Sequence, residues 1–535
     1  MEDIGYHKNY TIIDEEDSKS IIKTIIKEEI ATKFLKPQLV QKIISLSINS
    51  QQNIDDIINA YLNQIDDYYI DDIKKISKKY QARKKKNNLM DYDDLLSNFL
   101  KILNVSHVHK KISKKISYIL IDEYQDTNTI QEKIIKRIGF YHNNILAVGD
   151  ESQSIYSFRA ANINNIINFT KNYKNAKIFK IENNYRSTKK IVDMANCLIK
   201  NNTERLEKNL QSTIDNKTKP SILSFSSLKK QASFIVNNIQ SADDLSRIAV
   251  LFRAHFHAVE IELELAKRKI PYVLQGGIKF FEQFHIKDTV AFLRIILNPK
   301  DESSWKRLLL KQDKIGEVTA EKIIKKLLKH ETLKEIINNK ENLIQNLPFP
   351  ARSGLLLILD SLEKALNKNA SEKIDIFFND FYNEYLKFSF DNYQKRKNDI
   401  FKLKELTLNY KTEEEILSNF SLSEEFSINK NNSKKVTLST VHQAKGLEWD
   451  TVFVINLNEG SFPHIKSLEE GMIEEERRLF YVAITRCKKN LFITYIKNEF
   501  AKNQFLIPSR FIYEINNEVY EDEEIIEDEN EWEVF

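Results

Sequence analysis

The sequence predicts an α/β fold with parallel sheets, and three observations predict it. Short β-rich runs, "ISYILI", "NILAVGD" and "KIFKI", alternate with helical segments such as "IQEKIIKRI" between residues 116 and 181. Alternation of this kind lays helices over the faces of a parallel sheet. A second α/β region opens with "RIAVLFR" (247–253) and "IPYVLQGG" (270–277), and its strand signals return at "KVTLSTV", "DTVFVINL" and "NLFITYI". Between the two halves, residues 286 to about 429 are mostly helical with Lys-rich polar faces, so one α/β domain is split by a helical insertion.

The remaining elements follow in chain order. From residue 21 to about 90 the pattern is helical, and Ile54, Ile57, Ile58, Leu62 and Ile65 form one apolar stripe. "ARKKKNN" (82–88) reads as a basic, solvated turn. The end, "EVYEDEEIIEDENEWEVF", reads as a flexible acidic tail. With 535 residues, 41% of them hydrophobic, the chain has the length of three or four domains and enough apolar surface for their cores.

Composition narrows the class. The net charge of +4 neither demands nor excludes nucleic acid. Cys197 and Cys487 stand far apart, outside any CxxC pattern, which argues against a disulfide scaffold or a cysteine zinc site and suits a reducing, cytoplasmic location. The acidic, polar start "MEDIGYHKNY" is unlike a signal peptide, and no apolar run approaches the roughly 20 residues of a membrane helix. Lys, Asn and Ile abound against 10 glycines and 8 prolines, as in AT-rich coding, so Asn and Lys runs carry little functional weight.

The chemistry gathers at strand ends. "YILIDEYQDT" (118–127) is an apolar run that stops at Asp122 and Glu123. Catalytic groups of open α/β sheets collect at the carboxyl ends of strands. An acid there can hold magnesium, and its neighbour can orient or deprotonate a water. The next strand runs into "VGDESQSIYSFRAA", which offers Gln153 to a phosphate or water, followed by Tyr156, Phe158 and Arg159. Aromatic faces stack on bases without reading sequence, and cations track phosphates. "ENNYRSTKK" adds Tyr185 and Arg186; "STVHQAKGLEWD" adds His442, Lys445 and Glu448; "YVAITRCKK" adds Arg486. Each stretch taken singly also has a bland reading as a solvated strand end or as core packing.

Together, "DEYQDTN", "GDESQSIYSFR", "NYRST", "VHQAKGLEWD" and "YVAITR" resemble, in order and approximate spacing, the motif series of superfamily 1 DNA helicases of the UvrD/Rep/PcrA type. The resemblance extends over nearly the whole chain. It implies two RecA-like parallel-sheet motor domains with helical insertion subdomains, ATP and Mg2+ between the motors, and 3′→5′ stepping along single-stranded DNA and at DNA junctions in repair or replication. By motif position, Asp122 would hold magnesium, Glu123 would activate water and Gln153 would sense the γ-phosphate. Tyr185 would stack near adenine, Glu448 would lie near the ribose, and Arg186 and Arg486 would act as arginine fingers. Tyr156, Phe158, Arg159 and His442 would line the DNA track. Phe158 stands where the family often has tryptophan, Ala160 where it often has glycine, and Cys487 where it often has alanine. The implied division is a helical subdomain with a remnant of the first motor (1–88), the incomplete first motor (89–186), the second motor in two segments (187–283 and 434–515) around an insertion (284–433), and the tail (516–535).

One part of the series is missing. A phosphate loop of the GxxxxGK[ST] kind needs glycine directly before lysine, and none of the 10 glycines precedes a lysine. In the family that loop precedes the segment resembling "GYHKNYTIIDEEDSKS", where this chain starts. The expectation is therefore a truncated first motor, inactive alone, whose missing segment belongs to a broken gene or to a separate N-terminal fragment. The alternative is a non-catalytic relative that binds single-stranded DNA or a partner. A nuclease subunit is disfavoured, because the region after "YVAITR" is short and shows no acidic metal cluster with a nearby lysine.

Overall fold

The computed structural model describes residues 2–29, 35–60, 70–216, 218–276, 279–345, 347–390, 392–408, 412, 414–417, 434–499 and 504–524. The chain divides into two compact units. The first comprises Met1–Asn183, Ile199–Leu210 and Glu474–Val482; the second comprises Asn184–Leu198, Gln211–Ile473 and Ala483–Phe535.

In the first unit, helices Glu15–Glu29, Pro37–Ser50, Ile54–Ala60 and Ile70–Lys86 pack their isoleucine faces together. Ile57 and Ile58 are buried there as the stripe predicts, with Ile54 packed against them; Leu62 and Ile65 lie outside the described residues. Strand β1 (Thr11–Ile12) pairs in parallel with β2 (Leu89–Met90) and closes the helical layer. The expected solvated turn at 82–88 is corrected: the fourth helix continues to Lys86, and Lys84 is fully buried. Its ammonium pairs with Asp91 and, at 2.6 Å, with Asp94, while Tyr80 donates to Asp91 at 2.8 Å. Asp91 and Asp94 also form the capping box of helix Tyr92–Leu103, so one lysine ties two helices together.

The α/β part of this unit is small. Strand β3 (Ile119–Ile121) pairs in parallel with β4 (Ile145–Ala147), with Leu120 beside Leu146. Among the described residues these two strands form a sheet by themselves. Helix Thr129–Gly139 lies under one face: a Cβ on Gly139 would fall 2.7 Å from Ile145 Cδ1 and 3.5 Å from Ile119 Cδ1. The expected strand "KIFKI" is not one; residues 177–182 pair with no strand, and Ile178, Phe179 and Ile181 are exposed. A β-prone run becomes a strand only where a neighbour takes up its backbone groups.

In the second unit, β5 (Asn183–Thr188), whose first residue belongs to the first unit, pairs with β6 (Gln211–Ile214). Among the described residues the main sheet has seven strands. They are β7 (Ser221–Phe225), β8 (Ile248–Phe252), β9 (Tyr272–Gln275), β10 (Val436–Thr440), β11 (Trp449–Val454), β12 (Cys487–Ile496) and β15 (Glu521–Glu524). Their order is β15-β7-β12-β11-β8-β10-β9, and every neighbouring pair is parallel. A hairpin of β13 (Asn498–Glu499) and β14 (Gln504–Phe505) follows β12. Phe453 lies beside Val250, so strands from both sides of the insertion share one sheet. The five residues of β8 are all buried, as expected of a central parallel strand covered on both faces. The insertion, from helix Phe284–Leu297 to helix Tyr393–Thr407, builds its own core around Trp305, Phe292, Phe377 and Tyr382. The acidic tail differs from expectation: Glu521–Glu524 extends the sheet alongside β7, and residues 525–535 lie outside the described residues.

Candidate nucleotide and DNA-binding clusters

Apart from His442 and Lys445, the sequence-predicted residues fall into two clusters, one in each unit. In the first, the apolar run of β3 ends where the chain reverses at Glu123, whose φ of 49° is left-handed. Asp122 supports that turn by accepting the Glu123 backbone N–H at 2.8 Å. Tyr124 then anchors the loop: its N–H donates to the Val148 carbonyl at 2.9 Å, and its buried hydroxyl donates to Glu132. Both acids project from this anchored turn and are exposed.

Gln153 connects to the acids through two intermediaries. Its Nε2 donates to Asp150 Oδ2 at 2.8 Å. The Asp150 N–H donates to Gln125 Oε1 at 2.9 Å, and Gln125 Nε2 donates to Glu123. Lys208 neutralises the acidic side of the loop by pairing with Asp150 and, at 3.1 Å, with Glu151. Gly149 makes the linkage possible, since a Cβ there would fall 2.5 Å from Gln125 Oε1 and 3.2 Å from the Tyr124 nitrogen. Neither Gln125 nor Lys208 stood out in the sequence. Gln125 could have been suspected from its place two residues after Glu123; Lys208, 58 residues from Asp150, left no local signal.

Directly after Gln153 comes the aromatic turn. Tyr156 and Phe158 meet edge to face with ring centroids 5.9 Å apart, and the Arg159 guanidinium lies 5.6 Å from each ring. Phe158 is 51% exposed, so it is an offered face and not core packing. The turn is held by the Ser157 N–H, which donates to Glu475 at 3.3 Å, and it closes at Ala160 with φ of 64°. Burial, and then the charge of Asp126, raises the Tyr156 hydroxyl pKa, keeping it a neutral donor at physiological pH. Phe158, Arg159 and Ala160 form one wall of a cavity of about 510 Å³ whose other walls include Gln41, Asn49 and Asp93.

The second cluster surrounds Glu448. Lys488 donates to its Oε1 at 2.8 Å and Arg186 to its Oε2. Lys488 first, and Arg186 after it, hold the Glu448 carboxyl below the usual range. Arg486 is 2% exposed and donates to the Leu447 carbonyl at 3.2 Å, which fixes the backbone next to Glu448. Ser187 ties this group to β12 by donating to the Cys487 carbonyl at 2.5 Å. Tyr185 presents a largely exposed ring beside Arg186 in β5. His442 stands apart from this cluster. The pairings Thr440 with Phe252 and Thr451 with Ile248 put His442 beyond the carboxyl end of the sheet and Glu448 before its amino end. Arg186 belongs to the second unit, whereas Asp122, Glu123 and Gln153 belong to the first.

Among the described residues no three His, Cys, Asp or Glu side chains gather as a metal cage. No helix among the described residues is long and apolar enough to cross a membrane.

Comparison with known proteins adds an independent line. Residues 1–174 match the UvrD/REP helicase N-terminal domain, and residues 179–498 match the UvrD-like helicase C-terminal domain. The chain is 33% identical to the ATP-dependent DNA helicase PcrA of Bacillus subtilis, over 97% of this chain and 73% of that protein. It is 33% identical to a probable DNA helicase II homolog of Mycoplasma capricolum, over 97% of this chain and 75% of the relative. With the ATP-dependent DNA helicase Rep of Buchnera aphidicola the identity is 32%, over 96% and 82%.

Proposed function

Since the chain belongs to the UvrD/Rep helicase family, we propose that it provides the strand-gripping and hydrolytic side chains of an ATP-dependent DNA helicase. The proposed movement is 3′→5′ along single-stranded DNA, including junctions, in repair or replication in the cytoplasm. The observation that carries this reading is the continuous linkage from Asp122 and Glu123 through Gln125 and Asp150 to Gln153, with the Tyr156–Phe158–Arg159 turn immediately after it. A change around the γ-phosphate sensed at Gln153 would reach the aromatic turn within three residues of backbone.

Bound ATP with Mg2+ supplies the phosphoanhydride whose cleavage drives such movement. In our reading Asp122 would hold the metal, Glu123 would take the proton of the attacking water, and Gln153 would orient that water or contact phosphate. Arg186 offers a guanidinium that is only half-buried, with Glu448 holding it in position. Tyr185 fits a stacking role beside adenine, and Glu448 one near the ribose. Arg486 fits a finger role less directly, because its guanidinium is buried against the Leu447 carbonyl; its first task is to shape the 447–448 backbone. Tyr156, Phe158, Arg159 and His442 are assigned to DNA.

The 535 residues contain no GxxxxGK[ST] run, so we read ATP turnover as requiring a phosphate loop supplied in addition to them. The same fact favours the second reading, a non-catalytic relative that holds single-stranded DNA. The discriminating measurement is fluorescent oligonucleotide binding and phosphate release, with and without a loop-bearing segment. On the first reading Phe158→Ala weakens single-strand binding by roughly 1–3 kcal/mol, the scale of one stacked base. Unchanged affinity removes Phe158 from the DNA track, and a completed protein that still fails to bind ATP leaves the second reading standing.

A further inference from the structure

We propose that the exposed rings of Phe140 and Tyr141, together with the lysines of helix Ser106–Lys115, form a second surface for single-stranded DNA, at the edge of the β3–β4 sheet opposite Asp122 and Glu123. This goes beyond the helicase reading and rests on it only for the choice of DNA as the polyanion.

The first observation is charge. No Asp or Glu stands between Asp94 and Asp122, a span that holds Lys101, Lys110, Lys111, Lys114 and Lys115. The last four lie on helix Ser106–Lys115 and are exposed. Among the described residues none of these four pairs with a carboxylate, whereas Lys75, Lys79 and Lys136 of the same unit do. The abundance of lysine in the chain accounts for their number, but not for a span from which every acid is missing. Uncompensated cations along one helix are the footprint of a polyanion.

The second observation is a pair of seated rings. His109, buried on the same helix, lies 5.5 Å from the Phe140 ring and 5.4 Å from the Tyr141 ring, which meet edge to face at 5.2 Å. Its Nε2 donates to the Arg137 carbonyl at 2.8 Å, and Ser113 Oγ donates to the same oxygen at 3.1 Å. Helix Ser106–Lys115 is thereby fastened to the end of helix Thr129–Gly139. The two rings nevertheless stay 59% and 52% exposed. Fixed ring faces beside unpaired lysines match the platforms on which unpaired bases stack. A duplex, whose bases stack on one another, has no base face to offer them.

Topology separates this surface from the nucleotide cluster. The basic helix runs into β3 and helix Thr129–Gly139 into β4, and Asn144 Nδ2 joins the two connections by donating to the Ser117 carbonyl at 3.0 Å. Phe140 and Tyr141 therefore sit at the amino edge of the parallel pair, while Asp122, Asp150 and Gln153 follow its carboxyl edge. An anionic bilayer fits less well. Ile112 is packed into the core with Leu103 and Ile130, so the apolar side of the basic helix is already occupied.

The test is binding of fluorescein-labelled oligothymidylate to the 535-residue chain, with iododeoxyuridine crosslinking to map the contacts. We expect a crosslink at Phe140 or Tyr141 and an affinity lower by about fivefold or more in F140A/Y141A. In K110Q/K111Q/K114Q the slope of log K against log salt should become shallower by about 0.7 for each lysine that neutralises a phosphate. The lysine variant keeps every ring, so its result decides the matter if circular dichroism shows that F140A/Y141A is misfolded. Crosslinks confined to 156–159, with affinity and slope unchanged in both variants, overturn the proposal and leave the Phe158 track standing. A duplex that loses as much affinity as the single strand in F140A/Y141A also overturns it, as does loss of phosphatidylglycerol vesicles without loss of oligonucleotide. Losses in both variants with F158A unchanged uphold this surface and remove Phe158 from the DNA track.

Discussion

Ala160 is the residue where backbone and side chain disagree most plainly. Its φ of 64° lies in the left-handed region, which costs an L-residue about 1–2 kcal/mol. The stiffer unfolded chain of alanine returns about 0.4–1 kcal/mol. Ala160→Gly should therefore stabilise the first unit by roughly 0.5–1 kcal/mol, read as a higher urea midpoint. His257 makes a different prediction. Both ring nitrogens are buried without a hydrogen-bond partner, and burial first, then the charges of Lys402, His464 and Arg253, pushes its pKa down to about 3. The folded state keeps the ring neutral while the unfolded state takes a proton below about 6.5. Stability is thus complete above that pH and is lost between about 6.5 and about 3 as pH falls, at up to about 1.4 kcal/mol per unit. His255 and His285 are shifted the same way and add to the slope. Urea midpoints between pH 7 and pH 5 should fall less steeply for His257→Leu than for the wild type.

At the scale of elements, the junction between helix Ile70–Lys86 and helix Tyr92–Leu103 depends on one buried ammonium. Lys84 faces Asp91 and Asp94, which share a capping box and both pair with its ammonium. Removing one partner of a buried ion network strands the others, at a cost of about 3–5 kcal/mol. Lys84→Met should destabilise the first unit by that amount, while Lys85→Met, one residue along on the exposed side, should stay within about 0.5 kcal/mol. Equal effects of the two substitutions in thermal unfolding would show that the helix junction does not rely on the lysine.

At the scale of the whole molecule, the proposed function rests on an exposed aromatic turn in a sequence whose 535 residues hold no GxxxxGK[ST] run. Purified alone, it should release phosphate from ATP at background rate, with or without single-stranded DNA, and Glu123→Gln should change nothing. Robust turnover abolished by Glu123→Gln would reveal a phosphate site of another kind. Single-strand binding should be weak, indifferent to sequence and steeply salt-dependent, because the slope of log K against log salt is about −0.7 for each phosphate neutralised. Binding that survives high salt would point to stacking, with Tyr156 and Phe158 outweighing Arg159.

The sequence by itself determined the local chemistry. The strand ending at Asp122 and Glu123, the aromatic turn after Gln153, and the split of one parallel sheet by a helical insertion could all be read from periodicity and residue type, because each depends on neighbours along the chain. Its misreadings share one cause. "ARKKKNN" looked solvated because nothing nearby announces that Lys84 meets Asp91 and Asp94, and "KIFKI" looked like a strand because its residues cannot tell whether a partner is present. Only the tertiary structure joined Lys208 to Asp150 and Arg186 to Glu448, set His442 at the opposite edge of the sheet from Glu448, and left Leu120 and Leu146 in water. Those outcomes depend on groups 58 or 262 residues apart coming together, or on a neighbour that does not come, and pairwise distance through space leaves no trace in local pattern.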